Sequence, residues 1–232
     1  DDGLPSVVVH GMNGRTLNIT TPEQSQVQTV LNFATFDFLG MSASLSGNSN
    51  PVKEAAEQAL DRYGCGSCGP RGFYGTVDVH LHLEKAFAQF LGTHDSILYS
   101  DGASACASTV AAFCKRGDLI VADEGLYEPL KTGIALSRAN VKYFKHNDMD
   151  DLRRVLLQQR ATDQKLGRKP NAQRRFLVVE GLYKNSGTIC PLDELVKLKH
   201  EFHYRIILDE SFSFGTLGKS GRGVAEEYGC RV

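Results

Sequence analysis

Acidic side chains stand where four apolar runs of the sequence end. They occur in Ser100-Asp101-Gly102, Asp123-Glu124-Gly125, Glu180-Gly181 and Asp209-Glu210. Open parallel sheets bind ligands beyond the carboxyl ends of their strands, so acidic groups at such exits could face one common ligand. Each carboxylate could equally cap the positive N-terminus of the helix that follows it. The sequence leaves both roles open, and the recurrence of the pattern directs attention to this sheet edge.

Two of these exits fit a ligand that carries charge. Asp209 follows the apolar run Arg205 to Leu208, and a carboxylate there could keep a heterocyclic nitrogen protonated, as pyridoxal phosphate (PLP) requires. Gly102 and Ala103 open a helix of small residues, whose free amides and dipole could receive a phosphate. A capping or salt-bridged role for Asp209 remains the alternative.

The loop from Cys68 to Thr76 is the other candidate for binding. It holds three glycines, one proline and two aromatic residues around Arg71. Loops of this composition have special backbone geometry and usually serve binding. The alternative is a tight surface turn that tucks the rings of Phe73 and Tyr74 into the core.

Two further motifs are incomplete. Gly218-Lys219-Ser220 resembles the end of a P-loop, but Ser213 stands where that motif requires glycine. Cys65 and Cys68 have metal or redox spacing, yet no second close pair of Cys or His completes a tetrahedral zinc site. The sequence therefore predicts neither a nucleotide triphosphatase nor a metal site.

The composition is that of an ordinary globular protein, with 232 residues of which 41% are hydrophobic and 23% charged. Lys plus Arg number 26 against 27 Asp plus Glu, so no charge excess would attract nucleic acid. No apolar run reaches the roughly 18 residues of a membrane span, and no signal segment is present. The six scattered cysteines do not suggest a disulfide framework, and a soluble chain is expected.

Residues 1–50 are expected to form an irregular N-terminal segment that includes the polar cluster Ser42 to Asn50. Asn50-Pro51 supplies a cap and a first-turn proline for a helix that ends before Gly64. A second helix is expected between Asp78 and Gly92. It should bury four apolar side chains, which are Leu83, Phe87, Phe90 and Leu91.

From residue 96 onward, apolar runs typical of strands alternate with helical stretches. The runs are Ser96 to Tyr99, Leu119 to Ala122, Val141 to Phe144, Phe176 to Val179 and Arg205 to Leu208. The helical stretches are Ala103 to Cys114, Leu126 to Ser137, Asp148 to Arg160 and Leu192 to Phe202. This order predicts an α/β fold in which helices flank a mainly parallel sheet.

We therefore assign residues 51–232 to one large domain. The polar and basic stretch Arg160 to Arg175 should be an exposed loop between a helix and a strand. The sequence stops just after a glycine-rich turn, where an α/β domain would normally continue. The domain is accordingly expected to be incomplete at its C-terminus.

Several long segments resemble the serine palmitoyltransferase family, and within it the first, non-catalytic subunit. The main segment runs from Tyr63 to Thr76 and contains the loop Cys68 to Thr76. Further matches are Asp78-Val79-His80, Lys145-His146-Asn147-Asp148-Met149, Val179-Glu180-Gly181-Leu182-Tyr183, Gly187-Thr188-Ile189-Cys190-Pro191-Leu192, Ser211-Phe212-Ser213-Phe214-Gly215 and Gly221-Arg222-Gly223. The resemblance spans roughly Leu31 to Gly229 and includes loops as well as short motifs.

The resemblance implies the aspartate aminotransferase-like fold of PLP enzymes (fold type I) and its α-oxoamine synthase branch. These enzymes condense an amino acid with an acyl-coenzyme A and release carbon dioxide. For serine palmitoyltransferase the substrates are L-serine and palmitoyl-coenzyme A, and the product is 3-ketodihydrosphingosine, at the first step of sphingolipid synthesis. The resemblance also implies a location at the endoplasmic reticulum membrane.

Three positions depart from the pattern of catalytic members. Tyr127 stands where they have a histidine that stacks on the PLP ring. Phe212 replaces a histidine that bonds the phenolic oxygen of PLP, which a phenylalanine cannot do, and Lys184 replaces a serine. By resemblance, the cofactor pocket would be degenerate and without catalytic residues of its own. Its members would be Gly102, Ala103, Tyr127, Asp209 and Phe212.

The family pattern places the Schiff-base lysine beyond Val232. The leading hypothesis is therefore a non-catalytic but required subunit in a heterodimer with a catalytic partner, whose lysine holds PLP. Cys68, Arg71 and Tyr74 would then shape the shared site. Two alternatives remain open: a self-sufficient PLP-dependent α-oxoamine synthase, and a non-enzymatic scaffold or regulator.

Overall fold

A computed structural model describes residues 6–13, 15–40, 50–169 and 172–231. By its internal contacts the chain divides into two compact units, Asp1–Leu83 and Glu84–Val232. The predicted boundary between residues 50 and 51 falls inside the first unit. The polar cluster predicted over residues 42–50 lies outside the described residues, apart from Asn50.

Three antiparallel strands form the start of the first unit, in the order β1-β2-β3. Their bounds are Val8–Asn13 for β1, Thr16–Thr21 for β2 and Gln24–Leu31 for β3. The prediction of an irregular segment is therefore wrong for these residues. Glutamine and threonine occupy many of the positions in β2 and β3, so the alternation of apolar and polar residues that marks a strand is faint.

Helix α1 (Pro51–Tyr63) begins as predicted. The side chain of Asn50 accepts the backbone N–H groups of Val52 at 3.0 Å and of Lys53 at 3.3 Å. Such a cap is worth about 1 kcal/mol. Gly64 ends the helix with a φ of 73°, a positive value that favours glycine.

Helix α2 (Asp78–Leu91) has the predicted bounds, but it does not bury the predicted side chains. Leu83, Phe87, Phe90 and Leu91 are each between 37% and 40% exposed. The rings of Phe87 and Phe90 do contact Phe214, with centroids at 5.4 and 5.7 Å. Arg222 also lies over the Phe90 ring, with its guanidinium carbon 5.3 Å from the ring centroid.

The strand predicted for Ser96 to Tyr99 is absent from this described stretch. Its polar groups bond to helix α2 instead of to a neighbouring strand. The Ser96 hydroxyl donates to the carbonyl oxygen of Glu84 at 2.6 Å, and the Leu98 N–H donates to the Glu84 carboxylate at 2.8 Å. Ile97 remains 74% exposed. The apolar run from Ser96 to Tyr99 therefore does not form a buried strand.

A parallel sheet with the order β5-β4-β6-β7 is the centre of the second unit. The strands are β4 (Leu119–Asp123), β5 (Asn140–Phe144), β6 (Arg175–Glu180) and β7 (Arg205–Asp209). The helices are α3 (Gly102–Phe113), α4 (Glu128–Ser137), α5 (Met149–Lys165), α6 (Leu192–Phe202) and the short α7 (Val224–Glu227). This architecture confirms the predicted fold class.

The prediction of a loop from Arg160 to Arg175 is wrong at both ends. Helix α5 continues to Lys165, and Arg175 is the first residue of β6. Asp163 explains the longer helix, because it is nearly buried and accepts hydrogen bonds from Arg168 and Arg175, each at 2.7 Å. A basic stretch that was expected to be solvated is thus partly tied to this carboxylate.

Gly133 allows α3 and α4 to pack closely. A Cβ atom at this position would lie 2.7 Å from the carbonyl oxygen of Ala107 and 2.9 Å from Cβ of Val110. The close approach brings α3 to the residues that precede α4. Within the described residues, no helix is both long enough and apolar enough to cross a membrane.

Candidate functional site

The carboxyl edge of the parallel sheet gathers three of the predicted acidic residues. Asp123 ends β4, Glu180 ends β6 and Asp209 ends β7, and Glu180 lies opposite Asp209 in the strand register. Asp123 and Glu180 are 0% and 1% exposed, and Asp209 is 9% exposed. Buried carboxylates require partners, and each has a different set.

Asp209 bonds to a thiol. Sγ of Cys106 lies 3.3 Å from Oδ2 of Asp209 and 2.9 Å from the Tyr127 hydroxyl oxygen. A carboxylate only accepts, so the thiol donates to Asp209 and the Tyr127 hydroxyl donates to the sulfur. Burial, with the nearby Asp209 charge, raises the pKa of Cys106 to about 11, and burial also raises the pKa of Tyr127. Both groups therefore stay protonated at neutral pH.

Glu180 holds two of the residues that depart from the catalytic pattern. Its Oε1 accepts the Tyr127 N–H at 2.8 Å and its Oε2 accepts the Lys184 N–H at 3.0 Å. Burial raises the pKa of Glu180. The Lys184 ammonium lies 5.6 Å from the ring centroid of Tyr127 and 6.0 Å from that of Phe212, which is cation–π range.

Asp123 is the centre of a second cluster. It accepts hydrogen bonds from the N–H groups of Gly125 at 2.7 Å and Asn147 at 2.9 Å, and from Nδ1 of His146 at 2.8 Å. Nε2 of His146 lies within hydrogen-bond distance of the Thr188 hydroxyl, at 2.7 Å. Gly125 is required here, since a Cβ atom would lie 2.5 Å from Nδ1 of His146.

This Asp-His-Thr arrangement resembles a nucleophilic triad but lacks the other half of such a site. Acyl transfer needs free donors for the developing oxyanion. The N–H of Gly187 donates to the Tyr183 carbonyl at 2.8 Å, and that of Thr188 donates to Ser186 Oγ at 3.4 Å. The cluster instead ties the ends of β4 and β5 to the loop that follows β6.

The N-terminus of α3, where Gly102 and Ala103 lie, is already capped by a carboxylate of this chain. The carboxylate of Asp101 accepts the Ser104 N–H at 2.8 Å and the Ser104 hydroxyl at 2.6 Å. These bonds, with one from Ser100, hold the pKa of Asp101 below its ordinary value. The capping role that the sequence left open is thus the observed one at this exit.

The loop of the first unit has a braced backbone. Nε of Arg71 donates to Thr76 Oγ1 at 3.0 Å, and the Thr76 hydroxyl donates to the Arg71 carbonyl at 2.7 Å. Gly75 is packed so closely that a Cβ atom would lie 1.7 Å from the carbonyl oxygen of Gly69. Cys68 has a φ of 58°, an unusual value for a residue other than glycine.

The two aromatic residues of this loop are not tucked into a core. Phe73 is 75% exposed and Tyr74 is 70% exposed, with their ring centroids 4.6 Å apart. The alternative of a turn that hides these rings is therefore wrong. An exposed aromatic pair beside Arg71 is a surface suited to contact with another molecule.

The structure thus connects three of the five predicted pocket residues. Tyr127 and Asp209 are joined through Cys106, and Phe212 is joined to Tyr127 through Lys184. Sequence reasoning gave Cys106 no role. Its one available signal was its place one helical turn after Gly102, on the face of α3 that follows the strand exit.

PLP, which the resemblance implies, makes two demands on these residues. The pyridine nitrogen of PLP needs a carboxylate and its ring needs an open stacking face. Asp209 is bonded to Cys106 and to the Ser211 N–H at 2.7 Å, while Tyr127 is only 8% exposed. The residues present do not fit PLP as they are arranged here.

The comparisons with known proteins agree with the fold. The family model described as aminotransferase class I and II matches residues 29–228. The chain is 53% identical over 203 residues to long chain base biosynthesis protein 1 of Arabidopsis thaliana, which covers 88% of this chain and 40% of that protein. It is 47% identical over 198 residues to serine palmitoyltransferase 1 of Dictyostelium discoideum, covering 85% of this chain and 40% of that protein.

A solved structure gives the same result. Serine palmitoyltransferase from S. paucimobilis, with a bound PLP–myriocin aldimine, superposes with a TM-score of 0.78 at 27% identity. The match covers 97% of this chain and 51% of that chain. This chain spans about 40% of the length of these two curated relatives. It belongs to the aminotransferase class I and II family and is homologous to the serine palmitoyltransferase 1 proteins.

Proposed function

We propose that this chain belongs to the supporting subunit of a serine palmitoyltransferase. The enzyme condenses L-serine with palmitoyl-coenzyme A to 3-ketodihydrosphingosine, with release of carbon dioxide and coenzyme A. Similarity to long chain base biosynthesis protein 1 and serine palmitoyltransferase 1 supports the reaction. The observation that carries the supporting role is the braced loop around Arg71, beside which the rings of Phe73 and Tyr74 are exposed.

In this proposal the cofactor is held by a lysine of the catalytic partner in a heterodimer. PLP, when bound, withdraws electrons from the amino acid so that its α-carbon can attack the thioester. This chain contributes a surface to that site through Cys68, Arg71 and Tyr74. A guanidinium group presents several donors in a plane, which suits the carboxylate and phosphate groups of the two substrates.

The geometry of the loop supports this role. The bonds between Arg71 and Thr76 fix the backbone beside the guanidinium group, and the close contact between Gly69 and Gly75 fixes the turn. A braced loop pays less entropy on binding than a flexible one. Exposed rings at Phe73 and Tyr74 would exclude water from the polar contact next to them.

A self-sufficient α-oxoamine synthase is not favoured, because such an enzyme needs an open PLP pocket in its own chain. Borohydride reduction separates the two functions when the complex is co-expressed with its catalytic partner. Reduction fixes PLP on the lysine that carries it, and peptide mapping then identifies the chain. We expect the adduct in the partner only, and an adduct on this chain or its full-length form would contradict the proposal.

We also propose a location at the endoplasmic reticulum membrane, which rests on the family resemblance alone. The full-length protein with a fluorescent tag should co-localise with a reticulum marker in cells. It should also sediment with the microsomal fraction when its catalytic partner is present. A diffuse distribution in both assays would contradict this location.

A further inference from the structure

The residues that would receive a planar cofactor are already covered by side chains of the second unit itself. Tyr127 is 8% exposed and Asp209 is 9% exposed. Both values hold without a partner chain or a bound molecule. The covering groups must therefore come from this chain, and the contacts identify two of them.

The first is the thiol of Cys106. It donates to Oδ2 of Asp209 while its sulfur accepts the Tyr127 hydroxyl. A heterocyclic cation that reached Asp209 would have to displace this thiol. Displacement would break the bond between the thiol and the nearly buried Asp209 carboxylate, which is unfavourable.

The second is the ammonium group of Lys184, which lies within cation–π range of both Tyr127 and Phe212. Its backbone N–H is fixed on Glu180, the same carboxylate that fixes the backbone of Tyr127. Glu180 thus fixes the backbone of Lys184 and the backbone of the tyrosine whose ring Lys184 covers. Lys184 is itself exposed, so it covers the pocket from the solvent side and does not form part of the core.

We propose that Cys106 and Lys184 close this pocket against planar cationic heterocycles. The thiol takes the carboxylate that would pair with the ring nitrogen, and the ammonium covers the ring on which the ligand would stack. This inference deepens the proposed function and rests on it only for the choice of ligand. It attributes the closure to two side chains that substitution can remove. The pocket is then blocked by these groups and does not only lack residues for binding.

The test is a binding measurement on the chain. The probe is 4′-deoxypyridoxine 5′-phosphate, which keeps the ring and phosphate of PLP but has no aldehyde and so cannot react with surface lysines. Equilibrium dialysis should show no saturable binding to the native chain. The double variant Cys106→Ala with Lys184→Ser should bind the probe saturably, with at least about tenfold more probe bound than the native chain retains at the same concentration.

A matched double variant controls for the loss of one thiol and one lysine. Cys65→Ala with Lys197→Ser removes an exposed thiol and an exposed lysine from other parts of the chain. It should behave like the native chain. Saturable binding by the native chain, or no gain in the folded Cys106→Ala, Lys184→Ser variant, would overturn the proposal.

A second measurement needs no variant. Iodoacetamide treatment of the native chain, followed by peptide mapping, compares the alkylation rates of Cys65 and Cys106. The exposed Cys65 should react at least about tenfold faster, because Cys106 is protonated and bonded to Asp209. Equal rates would mean an open pocket and would overturn the proposal.

These outcomes are independent of the proposed function. A complex in which the Cys68 to Thr76 loop has no effect on condensation would defeat the supporting role and leave a closed pocket standing. Binding of the probe by the native chain would have the reverse effect. The two claims can therefore fail separately.

Discussion

The Cys106 thiol donates to the Asp209 carboxylate across 3.3 Å, although 103 positions separate the two residues in the sequence. Cys106 lies on α3 and Asp209 at the end of β7, so the bond joins a helix to the carboxyl edge of the sheet. The Tyr127 hydroxyl extends this bond to the residues before α4. The thiol, the phenol and the carboxylate therefore join α3, the residues before α4 and the end of β7.

Loss of this group should be measurable as a loss of stability. Cys106→Ala removes a donor from a nearly buried carboxylate and should lower the free energy of unfolding by about 1 to 3 kcal/mol. Urea denaturation gives this value, and Cys65→Ala is the matched control at an exposed thiol. An equal effect of the two substitutions would contradict the assignment of the thiol to Asp209.

Glu180 should give the stability a specific pH dependence. Burial raises its folded pKa above 4.5, the value of an ordinary glutamate, so the folded chain keeps this proton to higher pH than the unfolded chain. The contribution is fully present below pH 4.5 and is lost as the pH rises through the folded pKa. Glu180→Gln cannot titrate and should lack this decline.

Denaturation of the native chain and of Glu180→Gln between pH 4.5 and 7 tests this effect. The free energy of the native chain should fall relative to that of the variant as the pH rises. Glu128→Gln, at a side chain 83% exposed, is the control and should follow the native curve. A constant difference between the native chain and Glu180→Gln would show that this carboxylate does not titrate as its burial requires.

The Asp123 cluster should be important for stability and not for chemistry. His146→Ala removes one of the three donors to a fully buried carboxylate and one of the partners of the Thr188 hydroxyl. We expect a loss of about 2 kcal/mol in the free energy of unfolding. His200→Ala, at an exposed position of α6, should change it by less than about 0.5 kcal/mol. Similar losses for both variants would contradict a stabilising role of the Asp123 cluster.

The close contact in the first unit offers a matched pair of glycine substitutions. A Cβ atom on Gly75 would lie 1.7 Å from the carbonyl oxygen of Gly69, whereas one on Gly72 would meet nothing within 4 Å. Gly75→Ala should therefore displace the loop, and a displaced positioning group can cost about a hundredfold in rate.

Condensation activity of the co-expressed complex is the readout for this pair. The complex with Gly72→Ala should keep a condensation rate within about twofold of the native rate. The complex with Gly75→Ala should lose far more. Circular dichroism of each variant checks that the fold persists. Equal activities of the two variants would mean that the shape of the loop does not affect the reaction.

Periodicity in the sequence predicted the parallel part of the fold well, because buried strands and amphipathic helices impose strong patterns. Helix α6 has the predicted bounds, Leu192–Phe202, and each of β4 to β7 differs from its prediction by one residue at one or both ends. Strands β2 and β3 were missed because polar residues conceal their alternation. The apolar run at Ser96 to Tyr99 misled for the opposite reason, since its partners lie on α2.

The candidate site was partly predictable for a topological reason. Parallel strands place all their carboxyl ends at one edge, so Asp123, Glu180 and Asp209 had to come close. The hydrogen-bond partners were not predictable, since the rotation of α3 decides whether Cys106 faces Asp209. The capping of α3 by Asp101 likewise depended on a side-chain rotamer that no spacing specifies.

The supporting role of the loop is the central claim, and the condensation rate of the co-expressed complex carrying Arg71→Ala tests it most directly. Thr76→Val is the companion variant, because it removes the brace and keeps the guanidinium group. Arg71→Ala should lower the rate by about tenfold or more, and Thr76→Val should lower it less. A rate for Arg71→Ala equal to that of the native complex would contradict the account.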